Sequence, residues 1–211
     1  MGVFSTASGS RKTRVVVGGV ALLGATALVL SGCAPTEDGG APAGDLTFKV
    51  GTALPVTGNL AFLGPPEIAG TEYAAAEVNE AAKGITIYLT QGDSGDTDNK
   101  AYETEIPRLL GEGVGAIIGA ASSGTSLQFI DQVVGANVIQ FSPANTSAEF
   151  TTYDDKDLYF RTAPSDVLQG EVLGNLIAED GNETLGMIVL NDSYGTGLAS
   201  FTKEAFVSPV L

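Results

Sequence analysis

Two short segments concentrate hydroxyl groups among small residues: Gly119-Ala120-Ala121-Ser122-Ser123-Gly124-Thr125-Ser126 and Phe141-Ser142-Pro143-Ala144-Asn145-Thr146-Ser147. Each follows an apolar run, and the first leads into a stretch with helical spacing. A helix N-terminus presents backbone N–H groups without intrahelical partners and a partial positive charge, so residues 122–126 suit a carboxylate without any arginine or lysine. The same serines suit the plainer task of capping that helix. Taken alone, the loop supports both readings equally. The second segment shifts the balance, because an α-amino acid needs donors for its carboxylate and a carbonyl for its ammonium, and residues 142–146 offer both.

Other chemistries fare poorly. The chain has no histidine, which removes the commonest base of serine and cysteine nucleophiles and the commonest metal ligand. No lysine stands at a serine spacing that suggests a substitute base. The run Gly113-Val114-Gly115-Ala116-Ile117-Ile118-Gly119 has the wrong spacing for a dinucleotide loop, and its glycines enter a strand instead of following one. Asp93, Asp96 and Asp98 lack the ligand ladder and terminal glutamate of a calcium loop; a solvated loop is expected there, with Asp98 a candidate helix cap. No enzyme activity, cofactor or metal is expected. With 25 acidic against 10 basic residues the net charge is −15, a surface that repels nucleic acid and anionic headgroups.

At the N-terminus Arg11, Lys12 and Arg14 precede an uncharged run from Val15 to Leu30 and then Ser31-Gly32-Cys33. Basic, apolar and small segments in that order make an export signal. The run is shorter than the roughly 20 residues that cross a bilayer comfortably as a helix. Leu30-Ser31-Gly32-Cys33 resembles the bacterial lipobox, which implies cleavage before Cys33 and lipidation of its thiol. Cys33 is the only cysteine, so no internal disulfide is available. Residues 1–32 are read as a signal peptide and the Pro-, Gly- and acid-rich residues 33–45 as a flexible tether.

From Leu46 onward β-rich runs alternate with amphipathic stretches, the pattern of an α/β chain with a doubly wound parallel sheet. Strands are expected near 47–52, 86–90, 116–118, 138–141, 159–161 and 185–190. Helices are expected near 65–83, 99–111, 123–134, 165–180 and 195–205, with Gly84, Gly111 and Gly135 at helix stops. In such a sheet the ligand site forms in loops leaving the carboxyl ends of the strands. Those loops include the two hydroxyl-rich segments and the turn-rich residues 54–64.

The chain resembles the branched-chain-amino-acid-binding family of type I periplasmic binding proteins. The resemblance rests on Val56-Thr57-Gly58, Ala69-Gly70, Val78-Asn79, Ile117-Ile118-Gly119 with Ser122-Ser123, and Ser142-Pro143-Ala144-Asn145-Thr146. It continues through Phe160-Arg161-Thr162, Gln169-Gly170 and Asn191-Asp192-Ser193-Tyr194-Gly195-Thr196-Gly197, in order along the chain. It implies that Ser123 and Thr146 hold a ligand carboxylate through hydroxyl and backbone donors. The Ala144 carbonyl and the Thr146 hydroxyl receive the ammonium, Ala121 lines the pocket, and Tyr194 closes over the ligand. Arg161 and Gln169 are expected as hinge and packing residues, and Leu63 stands where the resembled binders often carry an aromatic.

The resemblance also implies a first lobe over residues 46–158, nearly complete, and a crossover with the start of a second lobe over 159–211, which breaks off at Leu211. The partners implied are an amino acid or similar small solute, the permease and ATPase subunits of an ABC importer, and the outer face of the cell membrane through the lipid. A lipid-anchored ligand sensor with the same fold is the alternative.

Overall fold

The computed structural model describes residues 46–207. Five strands, β1 (Leu46–Leu54), β2 (Ile85–Asp93), β3 (Ala116–Gly119), β4 (Ile139–Ser142) and β5 (Tyr159–Arg161), form one parallel sheet in the order β2-β1-β3-β4-β5. Helices α1 (Gly64–Glu80), α2 (Tyr102–Gly111) and α3 (Ser123–Gly135) connect the first four strands. A 3₁₀ turn (Ala148–Thr152) precedes β5, and α4 (Asp166–Glu179) and α5 (Ser193–Val207) follow it. The register aligns Val50 with Leu89 on one side of β1 and with Ala116 on the other.

Strand side chains alternate between faces, and the two faces of this sheet have different neighbours. Ala53 and Ile117 join Tyr102, Ile106 and Leu109 of α2 and Phe129 and Val133 of α3 in the main core. Val50, Ile118 and Phe141 face the other way, into an apolar groove of about 410 Å³ bordered by Glu67, Ala75 and Val78 of α1. A smaller cluster of Ile130, Val134, Phe150 and Tyr159 seals the β4–β5 end. There Phe150 and Tyr159 stack at 4.4 Å, and the Arg161 guanidinium lies over the Phe150 ring.

Helices α4 and α5 pack through glycine. A Cβ on Gly170 would lie 2.4 Å from that of Phe201, and one on Gly174 would lie 2.5 Å from the Thr202 carbonyl oxygen. Only bare backbone permits this approach.

Four expectations need correction. Residues 185–190 form no strand: a strand needs a ladder partner, none of the described strands pairs with this segment, and Ile188 is fully exposed. The helix expected from residue 99 begins at Tyr102, because Asn99 Oδ1 accepts the amides of Asp96 and Ala101 and holds a turn. Asp98 caps nothing; the N-cap position is Ala101. Gly111 and Gly135 are the last residues inside α2 and α3, and the left-handed residues that end those helices are Gly113 (φ 75°) and Asn137 (φ 57°). The 3₁₀ turn had no counterpart in the pattern.

Candidate functional site

The carboxyl ends of β1, β3 and β4 open into one cavity of about 250 Å³. Ala121, Ser123, Ala144, Thr146 and Tyr194, expected from three separated segments, all line it. Leu60 and Leu63 add apolar wall from the loop after β1. Gln169, read from sequence as a packing residue, and Asp192 also reach it. No lysine or arginine is among the lining residues.

The position of β3's exit loop depends on Gly119, whose φ of 130° and whose approach to the Ala53 carbonyl, 2.0 Å from where a Cβ would sit, exclude any other residue. Beyond it Ser122 is the N-cap of α3, its hydroxyl accepting the Thr125 amide at 3.2 Å. Ser122 thus caps the helix and also borders the cavity, beside Ser123. With the Thr125 amide taken, the amides of Ser123 and Gly124 stand at the open end of the helix.

Ser123 is almost fully buried. Its Oγ accepts the backbone amides of Thr146 and Ser147, each at 3.2 Å, and its own proton stays available to a ligand. The Thr146 backbone N–H, expected as a carboxylate donor, is thus directed to Ser123 instead. The Thr146 carbonyl accepts the Asp166 amide at 2.8 Å.

Asn145, fully buried between these residues, carries the loop geometry. Its Nδ2 donates to the carbonyls of Ala120 (3.1 Å) and Ala121 (2.8 Å), and its Oδ1 accepts the Tyr159 hydroxyl at 2.8 Å. Ser142 Oγ donates to the same Ala120 carbonyl at 2.7 Å and accepts the Asn145 amide at 3.0 Å. Burial pushes the Tyr159 phenol well above its ordinary range, so it remains a neutral donor. Sequence reasoning read Asn145 only as part of a motif; the run of small polar residues around it was the available signal. Arg161 is a packing residue as expected, donating to the Ser147 carbonyl at 2.7 Å and to Thr151 Oγ1 at 3.0 Å.

The acidic loop after β2 fastens the loop after β1. Asp93 accepts the amides of Val56, Thr57 and Gly95 and the Thr57 hydroxyl. Asp96 accepts those of Asn59, Asp98 and Asn99. Burial alone would raise Asp93, but the Thr57 hydroxyl and the three amides outweigh it and leave the carboxyl below the usual range. The Asn99 and Asn59 amides do the same for Asp96. Among the described residues no group of three or more acidic side chains is arranged to hold a metal.

Tyr194 approaches from the start of α5, where Asp192 accepts the Gly195 amide at 2.8 Å. Cys33 lies outside the described residues. Helix N-terminus, hydroxyls and carbonyls thus converge on one cavity at the strand ends, on a parallel sheet of this order.

Residues 47–208 match a family model described as periplasmic binding protein. The chain belongs to this family. A Leu/Ile/Val-binding protein homolog 2 from Brucella abortus is 33% identical over 178 residues, covering 82% of this chain and 46% of the relative. A leucine-, isoleucine-, valine-, threonine- and alanine-binding protein from Pseudomonas aeruginosa is 30% identical over 161 residues, covering 75% and 43%. Among solved structures, an ABC transporter substrate-binding protein from Desulfitobacterium hafniense in complex with Leu superposes with a TM-score of 0.62 at 27% identity, over 77% of this chain and 48% of that one. The periplasmic binding protein family is one of solute binders, not enzymes, and the type I fold expected from sequence is the fold of this chain. The chain spans about half the length of the curated relatives it matches.

Proposed function

We propose that this chain is the solute-binding component of an ABC importer and that it takes an amino acid, branched-chain aliphatic acids foremost. One lobe is built on the five-stranded sheet and a second begins with α4 and α5. The solute is captured between them and handed to a membrane permease, with ATPase subunits supplying the energy. Cys33 carries the lipid that holds the exported protein to the outer face of the cell membrane.

The observation that supports this most is that Ala121, Ser123, Ala144, Thr146 and Tyr194, drawn from three segments far apart in sequence, border a single cavity. The α3 N-terminus and the Ser123 hydroxyl suit the carboxylate, the Ala144 carbonyl suits the ammonium, and Leu60 and Leu63 suit an aliphatic side chain. Calorimetric titration with leucine, isoleucine, valine and their amides tests the reading. The acids are expected to bind and the amides to bind at least about tenfold more weakly, because a charge-assisted hydrogen bond is lost. Equal binding of acid and amide would overturn the carboxylate site and favour an amide sensor.

A further inference from the structure

Gly124 is the second residue of α3 and is buried. Its backbone is helical, so nothing in its conformation requires glycine, which a helix accepts only with a loss of stability relative to alanine. The reason for glycine lies outside the helix. A Cβ at this position would stand 3.3 Å from the Cβ of Asp192 and 3.7 Å from its Oδ2. The first of these is closer than carbon atoms pack comfortably.

What such a contact costs depends on whether the neighbour can give way. The atom met is the Cβ of Asp192 and not the tip of a flexible side chain, so only a shift of backbone relieves it. That backbone is held. Asp192 Oδ1 accepts the Gly195 amide at 2.8 Å, and the Asp192 carbonyl accepts the Thr196 amide at 3.0 Å and the Thr196 hydroxyl at 2.6 Å. Beyond it α5 is seated on α4 at Gly170 and Gly174. A shift at Asp192 therefore carries the start of α5 with it, and so Tyr194. Asp192 and Tyr194 both border the 250 Å³ cavity, beside Ser122 and Ser123. With Leu60, Ser122 and Leu190, Asp192 also borders a second cavity of about 530 Å³, so it stands in the wall between the two.

We infer that Gly124 is a positioning residue for ligand binding: its missing side chain lets the N-terminal end of α5 seat on the first turn of α3, and that seating brings Tyr194 to the cavity. This deepens the proposed function and rests on it. In a chain that captures its solute by closing two lobes, the seating belongs to the closed arrangement. An added methyl at residue 124 burdens that arrangement and leaves the open one free.

The test is calorimetric titration of the full chain with leucine, with a thermal melt of each ligand-free variant. Gly124→Ala should weaken leucine by about tenfold, the effect of an overpacked contact. Its melt should come no lower than that of the unaltered chain, because alanine favours the helix. Asp192→Gly removes the Cβ that is struck, and glycine keeps a helix cap nearly intact. In that background Gly124→Ala should change leucine binding by less than about twofold. Gly135→Ala, in the same helix but with no atom within 4 Å of the new methyl, should leave leucine affinity within about twofold. Full affinity in Gly124→Ala, a loss that persists undiminished beside Asp192→Gly, or a lowered ligand-free melt would each overturn the inference. Should Asp192→Gly alone abolish binding, the kinetics of Gly124→Ala decide: faster dissociation at unchanged association supports the seating, and slower association alone overturns it. An unaltered chain that binds no leucine removes the proposed function, and this inference falls with it.

Discussion

The hydroxyl oxygen of Ser123 accepts the backbone amide of Thr146 at 3.2 Å, so two residues expected to grip a ligand also grip each other. Ser123→Ala leaves the backbone amides of Thr146 and Ser147 without an acceptor. We expect a loss of roughly 1–3 kcal/mol in denaturant unfolding together with weakened ligand binding.

Asn145→Ala should be more damaging. The Ala121 carbonyl loses its 2.8 Å donor and the Tyr159 hydroxyl its acceptor, while Ser142 still serves the Ala120 carbonyl. A drop on the order of 3 kcal/mol is expected from the groups left unpaired. Tyr159→Phe, which removes one partner of one of these bonds, should cost about 1 kcal/mol. Urea titrations of both variants check the ranking.

Glycines of opposite character test the α4–α5 contact. At Gly174 an added methyl gains about 1 kcal/mol of helix propensity but strikes the Thr202 carbonyl and Ala205, an overpacking cost of about 1–3 kcal/mol. Gly174→Ala should therefore lower the melting temperature. Gly135→Ala, in a helix with no atom within 4 Å of the new methyl, should raise stability by about 0.5–1 kcal/mol.

Stability should have a pH optimum bounded by different carboxylates. Burial against the apolar groove raises Glu67 from an ordinary 4.5 to about 7, and its Oε2 has no hydrogen-bond partner. The unfolded chain releases this proton first, so stability falls as pH climbs from 4.5 through about 7 and then levels. Asp93 and Asp96 are lowered; their contribution is present above the ordinary aspartate pKa and is lost as pH drops through their folded values. Unfolding measured from pH 3 to pH 8 should show both limbs. Glu67→Gln should abolish the upper limb alone, a difference of about 1 kcal/mol after solvent screening at the groove mouth.

Much of the architecture was legible in the chain because its signals are local. Short β-rich runs marked all five strands of the sheet, and amphipathic stretches marked the five helices. The rule that parallel sheets bind ligands beyond their carboxyl ends then pointed to the loops that border this cavity. The family resemblance supplied Ala121, Ser123, Ala144, Thr146 and Tyr194, which the fold brings around one cavity. Residues 185–190 failed the same test: a β-rich composition is local, but a strand exists only where another strand supplies hydrogen bonds.

Tertiary structure decided everything that depends on a partner remote in sequence. Adjacent serines of equal propensity took different partners: Ser122 accepts the Thr125 amide, and Ser123 accepts those of Thr146 and Ser147. Asp93 and Asp96, legible only as a solvated acidic loop, became fasteners because the amides of residues 56, 57 and 59 arrive from the loop after β1. Asp166 is completely buried at the start of α4. Desolvation and hydrogen-bond satisfaction are properties of the surroundings that the packed chain creates.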